Sequence, residues 1–183
     1  MQPEADRQVT IVFDTRHGNT AAVAQAIARG LGHVPGVTTQ LVFVQDAGYR
    51  HLAEADLVVV GGPTEQLGES HHLHQFFSRI GGYDFHGKFG FAFDTHAGSG
   101  IHGGAAHGIA ASLKRLGVEM LSPNASAITV AGPIGTSDSV KLSPGTEAHF
   151  EQLGEELGRA LITAAAKRDA ANRERAAGAY PAD

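Results

Sequence analysis

The sequence predicts a three-layer α/β protein, with a five-stranded parallel sheet covered by helices on both faces. Short apolar, β-branched runs recur along the chain and read as near-continuous hydrophobic stretches, as strands buried on both faces do. Segments of helical periodicity separate them. Strands that alternate with helices form parallel sheets, and the crossovers between them are right-handed.

The elements follow in order. The first strand is expected near Val9–Phe13, and Thr20–Leu31 reads as an amphipathic helix after it. A second strand is expected at Thr39–Val44, and "YRHLAEAD", Tyr49 to Asp56, reads as a short helix before a third strand at Leu57–Gly61. His72–Ile80 is helical by its spacing, Phe89–Asp94 forms the fourth strand, and Gly103–Leu116 is the next helix. The last strand is awkward. "GVEML" and "SAITVAG" are separated by "SPNA", so either one strand is interrupted near Val118–Leu121 and Ala127–Ala131 or two short ones are present. Pro144–Ala165 reads as the final helix. Residues 1–165 are therefore expected to form one domain, and 166–183 a polar tail that continues the helix or frays.

With 183 residues, the chain suits one compact domain with a real core. A formal net charge of -5 argues against nucleic-acid binding, which usually appears as a basic face. No apolar run approaches the roughly 20 residues that span a bilayer, so no membrane association is expected. The start "MQPEADRQ" lacks the apolar stretch of a signal peptide, and a cytoplasmic location is the expectation. Without cysteine there is no disulfide, cysteine nucleophile or thiolate metal site. The 24 glycines and 11 histidines are the unusual counts, and many of the glycines cluster between Gly98 and Gly108.

The segment "DTRHGNT", Asp14 to Thr20, turns the first strand into the first helix. A helix N-terminus exposes backbone N–H groups and a partial positive charge, so it attracts anions. Gly18 lets the backbone turn tightly and Asn19 tolerates strained turn geometry. Thr15 and Thr20 bring hydroxyls, and Arg16 and His17 bring charge or point to water. The corner reads either as a phosphate site or as a plainly capped helix start. It lacks the Gly-Lys-Ser/Thr ending of a Walker loop.

"VFDTRHGNT" followed by an amphipathic helix resembles the phosphate loop of the flavodoxin family, Ser/Thr-x-Thr-Gly-Asn-Thr after the first strand. Thr15, Gly18, Asn19 and Thr20 match, and His17 stands where Thr or Ser is commonest. The resemblance extends through "ADLVVVGGPTEQLGES" and "GKFGFAFDTHAGSG" and covers most of the chain up to the last helix. It implies the flavodoxin-like strand order 2-1-3-4-5 and an FMN cofactor at the switch point. It places the FMN phosphate on Thr15, Arg16, His17, Gly18, Asn19 and Thr20. It places the ring between Pro63, Thr64, Glu65, Gln66, Leu67 and Gly68 on one side and Thr95, His96, Ala97, Gly98 and Ser99 on the other. The chain departs from the pattern where many flavodoxins sandwich the ring between Trp and Tyr. It has no Trp, Glu65 stands near the first of those positions, and no Tyr lies between Asp94 and Gly104. An imidazole or Leu67 would pack on the ring instead, with less stacking area.

Two other patterns weigh less. Gly98, Gly100 and Gly103 spell G-x-G-x-x-G, but after the fourth strand, with no acid at the spacing of a dinucleotide site. "HHLH", His71 to His74, together with His96 and His102, has donors suited to a transition metal, yet reads better as surface or helix-start histidines. No metal is therefore expected. The resemblance implies an electron-transfer protein passing electrons between a reductase and an acceptor protein, with no catalytic acid or base. The alternatives are an NAD(P)H-dependent quinone or small-molecule reductase on the same fold, or a binding or regulatory module that has lost its flavin.

Overall fold

The computed structural model describes residues 6–65, 68–98, 104–131 and 140–178. Its sheet has seven strands in the order β2-β1-β3-β4-β6-β7, with β5 also paired to β4. These are β1 (Arg7–Phe13), β2 (Val37–Phe43), β3 (Leu57–Pro63), β4 (Phe89–Ala97), β5 (Glu119–Met120), β6 (Ala125–Ala131) and β7 (Val140–Leu142). The helices are α1 (Asn19–Gly32), α2 (Tyr49–Ala53), α3 (His71–Ile80), α4 (Gly104–Arg115) and α5 (Thr146–Gly178).

Side chains of a strand point alternately to its two faces, and both faces of this sheet are apolar. Val9, Ile11, Leu57, Val59, Phe89, Phe91 and Phe93 face α1 and α5, where they meet Val23, Ile27, Leu31, Phe150, Leu157 and Leu161. Val12, Val58, Val60 and Ala92 face the other way, onto Leu52 of α2, Leu73, Phe76 and Ile80 of α3, and Ile109 and Leu113 of α4. The continuous apolar runs in the sequence follow from this two-sided burial. Helices α1 and α5 pack with their backbones in contact. A Cβ on Gly30 would lie 1.8 Å from the carbonyl oxygen of Glu151, and one on Gly154 would lie 2.3 Å from that of Ile27.

The expected order 2-1-3-4-5 is present, with two additions. The fifth strand is interrupted: Glu119 pairs with Phe89 and Ala125 with Phe93, so the four residues 121–124 oppose only two on β4. Pro123 has no N–H to give the ladder, which fits a break at that point. Strand β7 then adds to β6 in antiparallel fashion, so the sheet is not purely parallel. At the opposite end of the molecule, α5 continues through the polar segment. Asp169 pairs with Arg7 at 2.6 Å, Arg168 with Asp56 at 3.7 Å, and the Arg168 guanidinium lies 4.8 Å from the centre of the Phe89 ring.

Candidate functional site

The carboxyl ends of β1, β3 and β4 bring three segments together, and the helix that starts beside each one is capped differently. Ser70 caps α3, its hydroxyl accepting from the Leu73 N–H at 3.3 Å. At α4, the Ala106 N–H donates to Asp94 Oδ2 at 3.1 Å and the Ala105 N–H to Thr64 Oγ1 at 3.3 Å. Thr64 in turn donates to Asp94 at 2.9 Å, so β3, β4 and α4 are tied through one buried carboxylate. Helix α1 has no such partner. Its N-cap is Gly18 at φ 81°, in the left-handed region that glycine tolerates best, and no side chain caps it. An uncapped helix start leaves its first N–H groups without intrahelical acceptors.

In front of this uncapped end lies a cavity of about 140 Å³. Thr15, Arg16, His17, Asn19 and Thr20 line it from the first loop, Pro63 and Thr64 from β3, and Thr95, His96 and Ala97 from β4. The Thr20 and Thr95 hydroxyls share a buried hydrogen bond of 2.8 Å across the floor between α1 and β4. The Thr15 hydroxyl is buried with no partner of its own. A buried hydroxyl without a hydrogen bond costs about 1–3 kcal/mol, so its presence beside exposed N–H donors needs a reason. An anion in this cavity would accept from it.

A second, larger cavity of about 650 Å³ adjoins the first. Arg16 and Thr64 line both, and Glu65, Gly68, Glu69, His71 and His74 complete the larger one. Glu65 and Gly68 pair through mutual backbone hydrogen bonds of 2.9 and 2.8 Å. Glu69 is only 7% exposed in its side chain, and burial pushes its carboxyl above the usual range. His74 at 4.0 Å, Arg115 and a hydrogen bond to Ser112 oppose that rise.

Of the residues expected at a cofactor, ten line the smaller cavity, and Glu65 and Gly68 line the larger one with Arg16 and Thr64. Gly18 contributes the turn itself, and the Gly98 N–H donates to the Thr129 carbonyl oxygen at 3.2 Å. Gln66, Leu67 and Ser99 lie outside the described residues, as do Gly100, His102 and Gly103 of the other two patterns. The histidines of α3 disperse: His71 meets Gln75, His72 meets Asp14 and Gln45, and His74 faces Glu69. Among the described residues, no group of three or more His, Asp or Glu side chains is placed to hold a metal ion.

Two contributors were not anticipated. Thr129 of β6 and Val140 of β7 line the smaller cavity, and the Asn19 amide donates to the Val140 carbonyl oxygen at 3.2 Å. Only the pairing of β6 with β7 brings Val140 there, and a three-residue strand carries no periodic signal. Asp94 was visible in the sequence only as the end of a strand.

The fold and site define a class: an open α/β sheet with an uncapped helix start at the switch between β1 and β3, where strand order reverses. The flavodoxin family model matches residues 11–158, and the chain belongs to the flavodoxin family. The cofactor of that family is FMN, and the uncapped α1 with its unpaired Thr15 hydroxyl fits the phosphate of such a group. The chain is 31% identical to a flavodoxin of Aquifex aeolicus over 96 residues, 51% of this chain and 52% of that protein, so it spans about half the length of the curated relative it matches. It also superimposes on an archaeal flavodoxin with a TM-score of 0.70 at 22% identity, covering 85% of this chain and 99% of that one. For the rubredoxin oxygen:oxidoreductase of Desulfovibrio gigas the TM-score is 0.70 at 20% identity, covering 87% of this chain and 37% of that one. At these identities the two structures speak for the fold alone. Among the described residues, no helix is long and apolar enough to cross a membrane.

Proposed function

We propose that the chain holds FMN across the carboxyl ends of β1, β3 and β4 and serves as an electron carrier between protein partners. The observation that carries this reading is the contrast among the helix starts: α3 and α4 are capped from within, and α1 opens onto a cavity beside the unpaired hydroxyl of Thr15. Thr15, Asn19, Thr20 and the first-turn N–H groups of α1 hold the phosphate, with Arg16 and His17 at its rim. Pro63, Thr64, Glu65 and Gly68 and residues 95–98 flank the ring. The bound cofactor supplies the redox chemistry, and the protein supplies position and electrostatic environment. The buried Thr20–Thr95 and the part-buried Thr64–Asp94 hydrogen bonds keep the three loops in register around it.

A specific observation favours a second reading, a reductase of quinones or other small acceptors. Among the described residues, neither cavity is lined by Phe or Tyr, which leaves a ring face open to a substrate. One experiment separates the two. The FMN-loaded chain is reduced photochemically, and its reoxidation by a haem protein is followed by stopped flow. In parallel, NAD(P)H and a quinone are supplied without any partner protein. The carrier reading expects rapid reoxidation by the haem protein and no NAD(P)H turnover. Steady NAD(P)H-dependent quinone reduction would replace it with the reductase.

A further inference from the structure

Arg16 occupies a singular place in the site. Among the described residues it shares only with Thr64 the property of lining both cavities, and its guanidinium stands 3.8 Å from the Glu65 carboxylate. The pair therefore links the loop after β1 to the turn after β3. Glu65 is held by two backbone hydrogen bonds with Gly68, whereas the Arg16 side chain is 73% exposed. A guanidinium is planar and weakly hydrated, and it stacks on aromatic faces in a way that an ammonium does not.

Resting on the FMN reading, we propose that Arg16, reaching from the phosphate rim into the larger cavity, forms with Glu65 a charge pair flanking the flavin ring, where aromatic plates are lacking, and that the two set its redox potential in opposite directions. Reduction adds electron density to the ring. A cation beside it stabilises the reduced form over the oxidised one, and a carboxylate does the reverse. Arg16 therefore raises the potential, and Glu65 lowers it. Glu69, His71 and His74 face the same cavity and add a background field that both variants share.

The size of the effect follows from exposure. A solvent-screened unit charge a few ångströms from the ring shifts the ratio of oxidised to reduced dissociation constants about fivefold. Since a tenfold ratio corresponds to about 30 mV for a two-electron couple, fivefold is about 20 mV. The test uses the full chain loaded with FMN, with the two-electron midpoint potential and the dissociation constants of oxidised and reduced FMN as readouts. Arg16→Gln is expected to lower the potential by about 20 mV and Glu65→Gln to raise it by a similar amount. The double variant is expected to return close to the parent. Arg16→Lys keeps the charge, and so the potential, while weakening both redox forms of FMN alike. Raising the ionic strength shrinks the differences.

Structural damage cannot produce shifts of opposite sign that cancel in the double variant. Shifts of the same sign, or none, in a chain that binds FMN overturn this proposal and leave the cofactor reading standing. A chain that takes up no FMN overturns both.

Discussion

Replacing Thr15 by Val removes one hydroxyl and leaves the shape of the side chain nearly unchanged. In the free protein that hydroxyl is buried and has no partner. Its removal therefore deletes a desolvation cost without breaking a hydrogen bond, and the variant is expected to be as stable as the parent or more stable by about 1 kcal/mol. Against FMN the sign reverses. A hydrogen bond to a charged group contributes about 1.5–3 kcal/mol, so the variant is expected to bind FMN about ten- to a hundredfold more weakly. Riboflavin has no phosphate, and its affinity is expected to stay within about twofold. The assay is fluorescence titration of the parent and variant with both ligands, alongside urea unfolding of the ligand-free proteins. Equal losses for FMN and riboflavin would refute the phosphate assignment. A clear loss of stability in the ligand-free variant would show that the hydroxyl has a structural partner.

Three further outcomes follow from the packing and charge of the molecule. Gly30→Ala or Gly154→Ala places a methyl group against the backbone of the facing helix, and each is expected to cost about 3 kcal/mol or more in urea unfolding, because a backbone cannot step aside as a side chain can. Burial raises the Glu69 carboxyl, so the native state holds that proton to higher pH than the unfolded chain, and stability falls as pH rises through this interval. Glu69→Gln is accordingly expected to match the parent below the ordinary glutamate range and to exceed it at pH 7 in thermal unfolding. Asp169 behaves oppositely: its hydrogen bond from Arg7 holds its carboxyl below the usual range, so its contribution is full above the ordinary aspartate range and is lost on acidification. Asp169→Asn is expected to cost under about 1 kcal/mol at pH 7, since the pair is solvent-screened, and nothing once the parent's carboxylate is protonated.

The sheet was legible where burial is two-sided. Leu57–Val60 and Phe89–Phe93 are apolar at nearly every position because helices cover both faces, and such runs are hard to read otherwise. Helix α1 showed itself by its spacing, and the corner before it by residue types suited to an anion. The break in the fifth strand was signalled by Pro123, but the sequence did not say that both pieces would pair with β4. That depends on two extra residues accommodated in the loop, a tertiary matter. Strand β7 was not legible at all, since Val140–Leu142 gains its extended form from pairing with β6. The same holds for the Asn19–Val140 contact, which joins positions far apart in the chain. Glu65 was noticed as the residue standing near an aromatic position, yet its ion pair with Arg16 became visible only when the two loops were brought together.

The central claim is that this chain carries FMN at the start of α1. The most direct measurement is the visible absorption spectrum of the protein after incubation with FMN and removal of the excess by gel filtration. The account predicts a flavin spectrum shifted from that of free FMN, with about one equivalent per chain. A colourless protein after that treatment would contradict it, and the uncapped helix and the unpaired Thr15 hydroxyl would then belong to a site for some other anion.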